Sequence, residues 1–190
     1  MKYDIILAGV GGQGVLSVSA IIASSAMKEG LYVKQSEVHG MSQRGGAVLA
    51  NLRLGSAPVA SDLIPHGGAA MILSMEPLES LRYLQYLGPD GALITSTNPL
   101  VNIPDYPDLE TLLAKIRTLP RATLVDGERL ARAAGSVRAT NMVMVGAASH
   151  RLPLKAATLE LFIRDLFAAK GPKVIETNLK AFHAGREAAA

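Results

Sequence analysis

An α/β fold is what this sequence predicts: one domain with a mostly parallel sheet flanked by helices. Three observations predict it. Short apolar runs alternate with longer stretches of helical spacing along the whole chain. Glycines and prolines, 18 and 10 of them, fall between those segments as punctuation rather than as a repeat. A length of 190 residues, 49% apolar and only 18% charged, is enough to bury one core and too apolar for a disordered chain. Residues 1–190 are read as that single domain.

Tyr3 to Ala8 is a short apolar run that stops at glycines, hence a strand. Val15 to Lys28, rich in Ala, Ser and Ile and closed by Gly30, is a helix. Leu31 to Gln35 follows directly and carries Tyr32 and Val33, so a second strand returns through a right-handed parallel crossover. After a polar loop over residues 36–46, Val48, Ala50, Leu52 and Leu54 alternate with Leu49, Asn51 and Arg53, as in a half-buried strand, expected at an edge. Ala69 to Ser74 is strand-like, Pro77 to Leu87 a helix opened by proline, residues 88–91 a turn, and Ala92 to Thr97 another strand. Leu109, Leu112, Leu113 and Ile116 sit at helical spacing, Ala122 to Val125 is a short strand, and Gly127 to Ala134 begins a short helix. Asn141 to Gly146 reads as a buried helix capped through Thr140 and Asn141, with Met142 and Met144 filling the core. Leu159, Phe162, Ile163, Leu166 and Phe167 fall on one helical face, and Val174 to Ala184 repeats the pattern with Ile175, Leu179 and Phe182.

Composition removes whole classes of function. The chain has no cysteine, so it can form no disulfide, offers no thiolate nucleophile and holds no iron–sulfur cluster through thiolates of its own. A net charge of +3 with no stripe of Lys and Arg argues against nucleic acid, as do the absence of Trp and 4% aromatics. The uncharged stretch from Ile5 to Met27 is broken by glycines and serines, so it reads neither as a membrane span nor as a signal peptide, and a cytoplasmic protein is expected. The histidines are scattered without metal-site spacing, so no metal is predicted. There is no G-x-S-x-G and no P-loop lysine.

Two loops carry the candidate chemistry. Gly9-Val10-Gly11-Gly12-Gln13-Gly14 matches G-x-G-x-x-G between a strand and the first turn of a helix, the setting of a Rossmann-like phosphate loop. The motif fits tight packing, an anionic ligand or a dinucleotide. Lys34 and Gln35 stand where a dinucleotide site wants an acid, with Glu37 slightly late, so the dinucleotide reading loses weight. The second loop, residues 36–46, leaves the second strand toward the same crevice. In it Arg44 offers a bidentate partner for carboxylate or phosphate, His39 a proton near neutral pH, and Glu37 a group to orient either. The alternative is a solvated loop whose charges do nothing.

Gly9 to Leu16, Met27 to Gly30 and the loop Ser36 to Gly46 together resemble the gamma-type domain of the 2-oxoacid:ferredoxin oxidoreductases. The last of these is similar to the smaller, beta subunit of the indolepyruvate type, and residues 141–146 and 176–182 resemble the family's later segments. The resemblance implies an accessory subunit, inactive alone. Its larger alpha partner would carry thiamine diphosphate and iron–sulfur clusters, decarboxylate the 2-oxoacid, pass electrons to ferredoxin and yield an acyl-coenzyme A. It implies no cofactor bound by this chain alone and no catalytic residue. Gly9, Gly11, Gly12, Gln13, Gly14, Glu37, His39, Gln43 and Arg44 match motif positions and are expected at an interface or ligand-facing edge. From the residues alone, a free-standing NAD(P)-binding reductase is the alternative.

Overall fold

The computed structural model describes residues 1–38, 40 and 45–190. Its six strands are β1 (Lys2–Val10), β2 (Tyr32–Val38), β3 (Ala47–Gly55), β4 (Ala69–Ser74), β5 (Leu87–Ser96) and β6 (Ala122–Val125). They form one sheet in the order β2-β3-β1-β4-β5-β6. Only β3 runs against the others, pairing antiparallel with both β1 and β2, while β1, β4, β5 and β6 pair parallel.

That order corrects two expectations. The edge position belongs to β2, and β3 lies between β2 and β1; the first two strands run parallel without being neighbours. The alternation in β3 was legible, but both of its faces are covered, and Asn51 and Arg53 are buried. Burying a polar side chain is costly unless it is partnered. Here Arg53 Nε and Nη2 donate to Asp4 Oδ1 and Oδ2 of β1, each at 3.0 Å, and Asn51 Oδ1 accepts from the Ile64 N–H at 3.2 Å.

Seven helices cover the sheet among the described residues: α1 (Val15–Lys28), α2 (Pro77–Arg82), α3 (Leu109–Arg117), α4 (Gly127–Ala134), α5 (Thr140–Ala148), α6 (Ala156–Phe167) and α7 (Pro172–Ala188). Side chains alternate across a strand, so Ile5 and Leu7 of β1 pack with α1, α5, α6 and α7, while Ile6 joins Ile72, Leu93, Leu113 and Ile116 on the α3 face. In α6 the apolar stripe is narrower than its spacing suggests: Leu159 and Ile163 are buried, but Leu166 is exposed.

The segment after β4 also departs from expectation. Helix α2 stops at Arg82, a short 3-10 turn follows over Leu84–Tyr86, and β5 already begins at Leu87. Residues 88–91 are an irregularity within the ladder, since Ala69 opposes Leu87 and Met71 opposes Ala92. Glycine permits this. A Cβ on Gly91 would lie 2.8 Å from the Ala69 carbonyl oxygen, so the chain bulges around the start of β4 without turning away.

Candidate functional site

The glycine loop leaves the C-terminal end of β1, and its glycines serve different purposes. A Cβ on Gly9 would come within 2.9 Å of Val15 Cγ2 and 3.1 Å of Met75 Cβ, so this position is about close packing. Gly11 extends the pairing with the β3 side: its N–H donates to the Gly46 carbonyl at 2.8 Å, and its own carbonyl accepts from Gly45 at 3.2 Å. Gly12 has a φ of +105°, with no described atom within 4 Å of where a Cβ would sit, while Gly14, with a φ of +82°, is the N-cap of α1. A glycine cap offers no side-chain acceptor, so the first-turn N–H groups and the positive end of the α1 dipole stay available to an anion.

Gln13 holds this shape. Its Oε1 accepts from the Val10 N–H at 2.8 Å, and its Nε2 donates to the Met75 carbonyl at 3.3 Å, tying the loop to the end of β4. It lines a cleft, yet its amide is engaged within the loop.

Clefts open on both sides of the loop. One, of about 330 Å³, lies between α1 and the β2–β3 side and is lined by Gly11, Gly12, Gly14, Ser17, Glu37 and Val48. Glu37, read from the sequence as part of the loop over residues 36–46, instead stands on β2, which continues to Val38, and lines this cleft beside the glycine loop. The other, of about 210 Å³, lies over the ends of β4 and β5 and is bounded by Gly12, Met75, Asn98, Glu128, Arg138 and Asn141. His39, Gln43 and Arg44 lie outside the described residues.

Residues that sequence reasoning passed over build the second cleft. Asn98 accepts from Ser96 Oγ at 2.9 Å and from the Glu128 N–H at 2.8 Å, and its Nδ2 donates to Asp126 Oδ1 at 3.1 Å. Asp126 caps α4 through the Arg129 N–H at 3.1 Å. Burial alone would raise the Asp126 carboxyl, but the Asn98 amide, the Arg129 N–H and the Arg129 guanidinium outweigh it and hold the carboxyl below its ordinary range. Just past the end of β4, buried Glu76 caps α2 through the Glu79 N–H at 2.8 Å and accepts the Tyr106 hydroxyl. Burial first, and then that hydrogen bond, hold the Tyr106 hydroxyl protonated far above the ordinary phenol range.

Asn141 corrects an expectation. Helix α5 has Ala139 as its N-cap and no side-chain cap; Asn141 turns instead toward Gly14, where a Cβ would meet its Nδ2 at 2.5 Å. Its Oδ1 is buried with no hydrogen-bond partner among the described residues. The available signal for these residues was position: Glu76, Asn98 and Asp126 each follow the C-terminal end of a parallel strand, where ligands bind in open α/β sheets.

The dinucleotide reading fails on this geometry. In that fold the second strand neighbours the first, so its terminal acid reaches the ribose. Here β3 intervenes, setting β2 two strand spacings, about 10 Å, from β1. The backbone of Gly11 is already paired with Gly45 and Gly46. An anion at the α1 end fits the residues present. An iron–sulfur cluster does not, because the chain has no cysteine, and no group of three His, Asp or Glu residues suited to a metal occurs among the described residues.

The sequence profile described as pyruvate ferredoxin/flavodoxin oxidoreductase matches residues 4–188. The chain is 38% identical to an indolepyruvate oxidoreductase subunit, IorB, of Archaeoglobus fulgidus, over 97% of this chain and 94% of that one. It is 30% identical to a 2-oxoglutarate synthase subunit, KorC, of Methanothermobacter thermautotrophicus, over 98% and 95% of the two chains. Its fold matches a pyruvate oxidoreductase subunit of Thermotoga maritima with a TM-score of 0.76 at 23% identity, covering 98% of this chain and 96% of that one. It also matches a 2-oxoglutarate:ferredoxin oxidoreductase of Magnetococcus marinus, solved with 2-oxoglutarate, coenzyme A and succinyl-CoA, with a TM-score of 0.77 at 22% identity. There 99% of this chain corresponds to 31% of the longer one. The chain belongs to the pyruvate ferredoxin/flavodoxin oxidoreductase family.

Proposed function

We propose that this chain is the accessory subunit of a 2-oxoacid:ferredoxin oxidoreductase acting on indolepyruvate and related aryl pyruvates. The observation that carries this is near-full-length similarity at 38% identity to an indolepyruvate oxidoreductase subunit, against 30% to a 2-oxoglutarate synthase subunit. The missing cysteines support the same division of labour, since a larger alpha subunit must then hold the iron–sulfur relay to ferredoxin and, with it, thiamine diphosphate.

In this reading the chain presents a shaped, anion-favouring edge to that partner. Gly12 and Gly14 keep the α1 end open, Gln13 fixes the loop, and Glu37 faces it across the cleft; His39, Gln43 and Arg44 are assigned to the same edge on the sequence motif alone. Gly9 and Gly11 hold the loop against β4 and β3. Coenzyme A, when bound against this edge, would supply the thiol that accepts the acyl group; the first-turn N–H groups of α1 are the residues here suited to its phosphates. No helix among the described residues is long and apolar enough to cross a membrane, and we place the complex in the cytoplasm.

The test is reconstitution. The purified chain alone should carry no iron and give no ferredoxin reduction with indolepyruvate and coenzyme A, and adding the cysteine-bearing large subunit should restore it. Turnover by the chain alone, or failure to associate, would overturn the reading.

A further inference from the structure

A closed circuit of hydrogen bonds surrounds the glycine-loop edge, and part of it comes from a segment with no regular structure. The connection between β5 and α3, residues 97–108, crosses the sheet end as a strap. At one side it is fastened to buried Glu76: the Leu100 N–H donates to Glu76 Oε1 at 3.4 Å, and the Tyr106 hydroxyl donates to the same oxygen. Glu76 Oε2 is taken by the Glu79 N–H, so both carboxylate oxygens are engaged. On the other side, between those two anchors, Asn102 reaches out and donates from Nδ2 to the Gly45 carbonyl at 2.8 Å. Gly45 and Gly46 pair with Gly11, and Gln13 closes the ring by joining Val10 to Met75, the residue before Glu76.

We infer that the 97–108 strap is a positioning element of the site, with Asn102 setting Gly45 and Gly46 against the glycine loop. A connection this long stays ordered only where it is tied down, and here the ties lead to the two sides of one edge. Asn102 is well suited to the role because nothing in the core depends on it. It is partly exposed, and its one described side-chain bond is to Gly45. The inference rests on the reading of that edge as partner- or ligand-facing.

The experiment compares Asn102→Ala, Asn102→Asp and Asn102→Gln in the reconstituted complex. A single hydrogen bond to a loop is worth about two- to tenfold in an equilibrium, so KM for 2-oxoacid or coenzyme A should rise by about that factor in Asn102→Ala with kcat less affected. Asn102→Asp, isosteric but without the donor, should be as impaired, and Asn102→Gln should recover part of the loss. Thermal midpoints should match wild type. Tyr106→Phe, cutting the strap at its other anchor, should raise the same KM. Unchanged KM in Asn102→Ala and Tyr106→Phe would overturn the inference, as would Asn102→Asp behaving like wild type. If the wild-type complex turns over no 2-oxoacid, the functional reading fails separately. The Kd between the chain and the large subunit then reads the strap: a two- to tenfold weakening in Asn102→Ala supports it, and an equal Kd rejects it.

Discussion

Gly146 of α5 and Gly185 of α7 meet where the two helix backbones touch. A Cβ on Gly146 would lie 1.9 Å from the Phe182 carbonyl oxygen, and one on Gly185 would lie 1.9 Å from the Val143 carbonyl oxygen. Neither obstacle is a flexible side-chain tip, so the helices must separate to admit even a methyl group. Both sit in the main core, with Val143, Met144 and Phe182 fully buried around them.

Gly146→Ala and Gly185→Ala should therefore each destabilise the fold by about 3 kcal/mol, at the upper end of the usual overpacking cost. The gain in helix propensity, about 1 kcal/mol per Gly→Ala change, is too small to offset it. Urea unfolding measures this, and a loss under about 1 kcal/mol would mean the helices can move apart cheaply.

Asp4 and Arg53 form a buried, bidentate pair whose remaining guanidinium nitrogen donates to the Ser61 and Leu63 carbonyls at 3.0 and 2.7 Å. Removing Asp4 leaves the Arg53 charge buried with no acidic partner among the described residues, whereas removing Arg53 still leaves Asp4 with Lys2 Nζ at 3.1 Å. Asp4→Ala should cost about 3–5 kcal/mol, while Asp4→Ala with Arg53→Met should cost less than the two single changes summed. Additive losses would indicate that the pair is not coupled.

Asp126 provides a pH test. Its folded carboxyl lies below the ordinary range, so the sign is that of a depressed acid: its contribution is present above the unfolded value and fades as pH falls through the folded one. Asp126→Ala should cost about 1 kcal/mol near pH 7 as a lost N-cap, and the difference from wild type should shrink below about pH 4. A pH-independent difference would point to packing rather than charge.

The two left-handed glycines of the loop should differ in kind. Gly12→Ala meets no atom of the described residues and carries backbone strain, about 1–2 kcal/mol, whereas Gly14→Ala adds a collision with Asn141 Nδ2. Gly14→Ala should be the more destabilising by thermal unfolding, and Gly14→Ala with Asn141→Ala should recover part of the gap. Equal midpoints for Gly12→Ala and Gly14→Ala would contradict the placement of Asn141.

Much of this was legible because periodicity and punctuation are local. The α1 helix, the β4 and β6 strands and the glycine loop follow from spacing within a dozen residues. The position of β3 was not legible, because Asn51 and Arg53 suggest an exposed face until Asp4, 49 residues away from Arg53, neutralises one of them. Gly88 to Gly91 suggest a turn until Ala69 is seen to need room. Within the site, Glu37 was singled out as a loop residue but stands on β2, and Glu76, Asn98, Asn102 and Asn141 act through long-range hydrogen bonds or contacts that leave no pattern in the chain.

The central claim, an accessory subunit serving indolepyruvate oxidation, is tested most directly by kcat/KM of the complex assembled from this chain and its large subunit, with ferredoxin as acceptor and coenzyme A present, on indolepyruvate, 2-oxoglutarate and pyruvate. The account predicts that indolepyruvate is preferred by at least tenfold, about 1.4 kcal/mol in transition-state binding, and that omitting this chain abolishes turnover. Preference for 2-oxoglutarate or pyruvate, or full activity of the large subunit without this chain, would contradict it.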